Sequence, residues 1–312
     1  MARFTVVTVV KEDPSVILRF ARHYARLGAE RVLIHHDGPL DPAAARALGP
    51  DAFGDDRIRL IVCDDAWWSR IEGGRPGVMN RRNTDIFTRL HRSGDWPGDW
   101  LLVCDADEFV IADGPLGPLL DLAPPEVDSI LVPSAEAIWG PGEDIEAEFG
   151  SSWFRRPFPS DEAWERERRA FYGPIGRLFG RGLSGHPTGK SLTRRGAPVD
   201  RINLHWAARG GASISIPAAE AHPGLAGLEL AHFDAISMAR WRRKFARRAK
   251  RFGQEGGTGS PRRQRQRTLI NVATRLGRPF DRWLFRSIYV LDRRRLDQLA
   301  ARGLAFRRDI FA

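Results

Sequence analysis

Residues 100–110 read W-L-L-V-C-D-A-D-E-F-V. The apolar run Leu101, Leu102, Val103, Cys104 follows the turn Asp95-Trp96-Pro97-Gly98 and runs straight into Asp105, Asp107 and Glu108. A short continuous apolar run after a turn predicts a strand buried on both faces, as in a parallel sheet. Carboxylates at the carboxyl end of such a strand fall where open α/β sheets bind their ligands. Crowded carboxylates repel one another, so a cation is expected among them. Asp-x-Asp sets two oxygen donors on one side of an extended chain, which suits a hard divalent ion such as Mg²⁺ or Mn²⁺. The same residues also fit an acidic turn that caps the next helix.

Upstream, F-T-V-V-T-V-V at 4–10 is β-branched and apolar, a buried strand by composition. Asp13 offers an N-cap with Pro14 at the first helical position, and Gly28 a stop. Between them Ile17, Phe20, Ala21, Tyr24 and Leu27 share one helical face. Strands follow at 31–36 and 58–63, a short helix opens at Asp41-Pro42, and another helix covers 79–92. Strand–helix alternation implies right-handed βαβ units and a parallel sheet. Four strands in succession end in acidic or polar clusters: Lys11-Glu12-Asp13, Asp37, Asp64-Asp65 and Asp105-Ala106-Asp107. In a parallel sheet all four lie along one edge, which raises a site above the reading of each as an ordinary strand-end aspartate.

The chain of 312 residues holds 49 Lys+Arg against 39 Asp+Glu, a formal charge of +10, with 42% hydrophobic and 28% charged residues. That composition is globular, and an arginine excess points to phosphates, carboxylates or an anionic surface. Cys63 and Cys104 close apolar runs and read as small core residues in reduced surroundings. The apolar run after Met1-Ala2-Arg3 is too short for a secretory segment, and no window of about 18 uncharged apolar residues exists. A cytoplasmic protein is expected, touching the inner face of a membrane at most.

Residues 129–133 predict a fifth strand; 134–185 then loosen into Gly, Pro and aromatic residues. This segment reads either as a loop-built acceptor region or as a second hydrophobic cluster under a long loop. Short strands are expected at 190–193, 201–206, 213–216 and 228–233. Residues 237–252 form a basic amphipathic helix carrying Met238, Trp241, Phe245 and Phe252. Its basic residues interleaved with aromatics favour an anionic surface, against a solvated face whose stripe packs on the domain. A Gly-rich linker (253–260) leads to a basic helical extension, its last helix expected over 281–302.

G-H-P-T-G-K-S at 185–191 is one residue short of a phosphate loop and no apolar strand precedes it, so a P-loop is excluded. Lys190 remains available to a phosphate as a point charge. His205 and His232 sit in strand-like contexts, each either a ligand completing the Asp105/Asp107 metal site or a satisfied core histidine. Zinc spacing is absent, and so is any nucleic-acid module.

Together these residues resemble a family 2-like glycosyltransferase with the GT-A fold. The resemblance is carried by T-V-V-T-V-V-K-E-D-P-S-V-I-L-R-F-A-R-H-Y-A-R-L-G-A-E-R-V-L-I-H-H-D-G near the N-terminus and D-A-D-E-F at 105–109. G-K-S at 189–191, L-H-W at 204–206 and H-F-D-A-I-S-M-A-R-W-R-R-K-F at 232–245 add to it. Lys11 stands where the pattern commonly has Arg or Asn, and Asp37-Gly38-Pro39 departs from the usual D-N-x-S-x-D. The resemblance implies an α/β fold, a GT-A-type mainly parallel Rossmann-like sheet flanked by helices, over residues 1–252. Its nucleotide-binding half covers 1–133, its acceptor half 134–252, and the helical extension 261–312 follows.

The implied activity is metal-dependent transfer of a hexosyl group, inverting, from a nucleotide-sugar to a glycan or lipid-linked acceptor in cell-surface polysaccharide synthesis, with UDP-sugar favoured as donor. The implied site has Asp107 and Asp105 holding Mn²⁺ or Mg²⁺, completed by His205 or His232. Lys11, Glu12, Asp37, Asp64, Asp65, Arg82, Asn83 and Lys190 line the nucleotide pocket. Glu136 or Asp234 serves as general base. Three other classes compete. A sugar nucleotidyltransferase would open with a glycine-rich basic loop, and an aspartate-phosphorylating phosphatase would carry D-x-D-x-T after its first strand. A non-enzymatic binder of anionic surfaces would account for the charge but not for four acidic strand ends.

Overall fold

The structure is a computed structural model that describes residues 1–251 and 261–311; Phe252 and the expected linker at 253–260 lie outside them. The strands that position the site are β1 (Phe4–Val10), β2 (Arg31–His36), β3 (Ile58–Val62), β4 (Trp100–Val103), β5 (Glu108–Ile111), β6 (Ser129–Val132), β7 (Ser134–Ile138), β8 (Trp153–Arg155) and β9 (Lys190–Arg194). The chain forms two compact units, Met1–Pro133 with Thr188–Leu230 and Ser134–Pro187 with Ala231–Ala312. The expected boundary at 252 is therefore not where the chain divides. Leu284, Phe285 and Tyr289 of the supposed extension share a core with Trp139, Trp164 and Phe171.

The first unit is the expected mixed α/β architecture, a large mainly parallel sheet flanked by helices. Its strand order is Ile216–Pro217, β6, β9, β4, β1, β2, β3. β3, β2, β1 and β4 are mutually parallel, with Val6 opposite both Val32 and Leu102. β9 runs antiparallel between β4 and β6. All seven residues of β1 are buried, as its unbroken β-branched run requires. Pro14 opens the helix Pro14–Arg26, which buries Val16, Ile17, Phe20, Ala21 and Tyr24 on the β-sheet side of its stripe. Val16, Ile17 and Phe20 each contribute about 1.5–3 kcal/mol relative to exposure. The helix Met79–Ser93 ends at Gly94, whose φ of 68° is the left-handed cap that glycine takes without strain.

Two alternatives left open by the sequence are decided here, the aromatic stretch in favour of a second hydrophobic cluster. The acidic triplet after β4 does not cap a helix: the chain turns at 105–107 and enters another strand, β5. The aromatic stretch after residue 134 is not a loop-built surface. Trp139, Phe154, Phe158, Trp164, Phe171 and Tyr172 are all buried, and strands and the helix Asp161–Tyr172 organise them.

In the second unit β7 and β8 pair antiparallel, and Ala305–Arg307 adds to the far edge of β8. The basic helix Met238–Arg251 turns Met238, Trp241 and Phe245 into this unit's core, so its apolar stripe is not free for lipid headgroups. Three of its cations are engaged as well: Arg240 with Glu148 at 2.5 Å, Arg242 with Asp281 at 2.9 Å and Lys244 with Asp234 at 3.2 Å. The expected last helix is two, Arg278–Tyr289 and Arg293–Ala300. Among the described residues no helix is long and apolar enough to cross a membrane.

Candidate active site

Because β3, β2, β1 and β4 are parallel neighbours, their carboxyl ends share one edge of the sheet. Along it stand Asp64-Asp65, then Asp37, then Lys11-Glu12, then Asp105-Ala106-Asp107. The strand order reverses between β1 and β4, which is the switch point where open α/β sheets place their ligands.

At the β4 end Lys190 braces the turn. Lys190 starts β9 and is 1% exposed; its Nζ lies 2.5 Å from Asp105 Oδ2 and 3.2 Å from Glu108 Oε2. Glu108 Oε2 also accepts the backbone N–H of Asp105 at 3.0 Å, closing the turn on itself. Burial alone would lower the Lys190 pKa, but the two carboxylates outweigh it and the net shift is upward. The cation expected among these carboxylates is therefore, in part, the protein's own. Sequence reasoning had given Lys190 to a phosphate; the structure gives it to Asp105 and Glu108. Gly189 has a separate reason to be glycine. A Cβ there would sit 1.5 Å from the Val132 carbonyl oxygen, where β9 meets β6.

Asp105 and Asp107 are half-buried, so both carboxylates reach the site edge. Among the described residues no group of three or more His, Cys, Asp or Glu is placed to hold a metal ion. Two aspartates without a closed cage fit an ion such as Mg²⁺ or Mn²⁺, which takes one or two protein carboxylates and completes its shell with phosphate oxygens and water. His205 Nδ1 lies 3.0 Å from the Gly189 carbonyl oxygen. With Nδ1 as the donor, Nε2 carries the lone pair, the state a ligand histidine needs.

At the β2 end Asp37 is 3% exposed. Arg75 reaches its Oδ1 at 3.0 Å and Arg82 its Oδ2 at 2.9 Å. Arg82 is further fixed by the Pro76 carbonyl at 2.7 Å. Arg75 also reaches Asp65, at 3.4 Å. Gly38 follows with φ of 112°, and the space a Cβ would take is flanked by Lys11 Nζ at 3.7 Å and Arg75 Nη2 at 3.8 Å. Lys11, Asp37, Asp65 and Arg82 are thus brought together, and Arg75 is the residue the sequence reading missed. Its signal was faint: one arginine in the loop G-G-R-P-G after an acidic strand end. Asp64 is spent differently, as the N-cap of Asp65–Ser69, accepting the Trp67 N–H at 2.8 Å. Asn83 is buried with its Oδ1 unpartnered, and Glu12 is half-buried.

The remaining candidates, Glu136, Asp234 and His232, belong to the second unit. Glu136 lies in the middle of β7, fully buried. Its Oε2 accepts from Arg155 Nε at 2.9 Å, from Arg155 Nη2 and from the Ser184 N–H at 3.0 Å, and its Oε1 accepts the Gly185 N–H at 2.5 Å. Burial lowers the Arg155 pKa, but Tyr172 and Glu136 raise it further than burial lowers it. Glu136, expected as a candidate general base, stands in this fold as the buried ion-pair partner of Arg155, with two backbone N–H groups on its carboxylate as well.

Asp234 Oδ2 accepts the Tyr289 hydroxyl at 2.6 Å and its Oδ1 faces Lys244. Tyr289 in turn meets Ser184 Oγ at 3.1 Å, so the two candidate bases are ends of one buried network. The His232 ring packs on Gly185: a Cβ there would lie 2.8 Å from its Cε1 and 3.1 Å from Glu136 Oε1. Cys63 and Cys104 are buried free thiols, as expected, and burial pushes the Cys63 thiol up to about 12.

No family model matches the sequence, and no curated protein does. Among solved structures the chain is similar to glucosyl-3-phosphoglycerate synthase from Mycobacterium tuberculosis in complex with phosphoglyceric acid, at 17% identity over 62% of this chain and 57% of that one, TM-score 0.29. It is similar to a mycobacterial protein at 18% identity over 62% and 54%, TM-score 0.30. HddC from Yersinia pseudotuberculosis aligns at 11% identity over 66% and 84%, TM-score 0.32. The chain spans little more than half the length of the first two.

Proposed function

We propose that this chain is a glycosyltransferase of GT-A type that moves a sugar from a nucleotide-sugar, UDP-linked, to a hydroxyl of a glycan or lipid-linked acceptor. The observation that carries the proposal is the strand order β3-β2-β1-β4, which sets Asp65, Asp37, Lys11 and Asp105/Asp107 along one sheet edge. Asp37, clamped by Arg75 and Arg82, is a rigid acceptor for base or ribose hydrogens, since a carboxylate keeps lone pairs beyond those two contacts. Lys11, exposed at the switch point, faces the diphosphate as a point charge. Lys190 holds Asp105 in one orientation, so the acidic turn is preorganised before a donor arrives. A divalent ion held by Asp105 and Asp107, with His205 Nε2 as a further donor, would supply Lewis-acid neutralisation of the leaving diphosphate.

The test is calorimetric titration of UDP, with and without Mn²⁺, into wild type and Asp107→Ala. Metal-dependent binding that disappears in the variant supports the reading. UDP binding indifferent to both Mn²⁺ and Asp107 removes the proposed role of the acidic turn, and no binding of UDP, GDP or other nucleotides removes the proposal.

A further inference from the structure

The second unit carries a surface that no part of the site explains. Between residues 261 and 291 the sequence holds eight arginines and one acidic residue, Asp281. That aspartate is buried and paired with Arg242, so it does not offset the charge at the surface. Arg275, Arg278, Arg282 and Arg286 are exposed, and none of them makes an ion pair among the described residues. Beside them in the helices Pro261–Leu276 and Arg278–Tyr289 stand large apolar side chains in solvent: Val272 at 43%, Leu276 at 61% and Trp283 at 53% exposure. The Phe280 ring lies 5.1 Å from that of Trp283, tilted at 44° to it.

The opposite face of Arg278–Tyr289 is ordinary core, with Leu284, Phe285, Ile288 and Tyr289 buried. Arg278–Tyr289 thus offers Trp283 to solvent opposite its core face, and the preceding helix offers Val272 and Leu276, apolar surface beyond what the core uses. Arginines around an exposed tryptophan match an interface that is anionic at its surface and apolar just beneath.

We propose that residues 272–286 form a docking surface for an anionic lipid bilayer. Trp283 and Leu276 enter the headgroup region, and the four arginines meet lipid phosphates. The surface differs from the basic helix Met238–Arg251, whose apolar stripe is consumed by the core. The inference is independent of the donor site, and it involves no spanning segment. Each arginine near an anionic surface is worth about fivefold in affinity.

The experiment is flotation of the full chain with phosphatidylglycerol/phosphatidylcholine vesicles and with phosphatidylcholine alone. The variants are Trp283→Ser and the quadruple Arg275→Gln, Arg278→Gln, Arg282→Gln, Arg286→Gln. A second quadruple, Arg22→Gln, Arg26→Gln, Arg46→Gln, Arg294→Gln, makes the same change in net charge at exposed arginines elsewhere. Circular dichroism confirms that each variant folds. Expected are binding to the anionic vesicles only, a loss of at least about tenfold in the first quadruple and in Trp283→Ser, and little change in the second quadruple. Absence of wild-type binding, or equal loss in both quadruples, overturns the proposal. So does tighter binding to an RNA oligonucleotide than to the vesicles, or a dimer in sedimentation that Trp283→Ser dissolves.

Discussion

Replacing Lys190 by methionine removes an ammonium that pairs with both Asp105 and Glu108 while keeping most of the side chain's volume. The structure sets the size of the effect. Lys190 is 1% exposed, Glu108 6% and Asp105 39%. Breaking a buried pair by deleting one partner costs about 3–5 kcal/mol, because a desolvated charge is left behind. The Asp105 half is partly solvated and screened, so it contributes little of this. The Glu108 half dominates, and the expected loss is about 3 kcal/mol.

The pH dependence has a definite sign. The Lys190 pKa is raised in the folded state, so its stabilisation is fully present below the unfolded lysine value of about 10.4 and is lost as pH rises through the folded value. The gap between wild type and variant is therefore flat through neutral and mildly alkaline pH. It narrows on acidification, when the abandoned carboxylate takes up a proton. Urea titrations of wild type and Lys190→Met at pH 5, 7 and 9 read all of this. A deficit under about 1 kcal/mol at pH 7, or one that widens in acid, refutes the ion-pair account.

Gly189→Ala places a methyl group inside the Val132 carbonyl contact and should abolish soluble expression or lower the melting temperature by more than 10 °C, read by thermal unfolding. Glu136→Ala should cost about 3–5 kcal/mol in urea, since it strands the fully buried Arg155 guanidinium; unchanged stability would reopen a catalytic role for that carboxylate. Burial lowers both His23 and His35 to about 4, so each stays neutral in the fold and contributes stability above its unfolded value near 6.5. That stability is lost as pH falls toward 4, on the order of 3 kcal/mol per histidine, and His35→Leu should make the acid limb of a stability-versus-pH curve shallower, with His23 and His91 supplying part of what remains. Arg75→Ala removes one of two clamps on Asp37 and should weaken UDP binding several-fold with little loss of stability, because its side chain is 34% exposed; calorimetry alongside urea unfolding separates the two.

The first hundred residues were readable because their signals are local. β-branched runs, Pro14 at a helix start and Gly28 at a helix end fix elements one at a time, and a parallel sheet then follows from their alternation. The convergence of acidic ends follows too, since strand direction decides which edge they share. What could not be read was pairing across long separations. Lys190 meets Asp105 across 85 residues and Arg75 meets Asp37 across 38, and nothing in a motif states which cation a carboxylate will find. The aromatic stretch after residue 134 was ambiguous for a related reason. Its partners, Trp241, Phe285 and Tyr289, lie a hundred residues downstream, so the core that buries it is invisible locally.

The two kinds of carboxylate in this chain differ by position along a strand, and that difference carries information about role. Asp37, Asp65, Asp105 and Asp107 stand just past strand ends, where the ladder stops and side chains reach the edge of the sheet. Two of them reach solvent: Asp65 is 94% exposed and the Asp105 side chain, beside Lys190, 39%, while Asp37 is buried under its two arginines. Glu136 is instead the middle residue of β7, whose five residues are all buried. A charge there has no solvent, so the fold must supply every partner at once, and Arg155 with two backbone N–H groups does so. Partners of that kind tie β7 to β8 and to the backbone at Ser184 and Gly185. The sequence predicts a strand only over 129–133, so the place of Glu136 inside β7 comes from the structure. Position along a strand then separates Glu136 from the aspartates at the sheet edge.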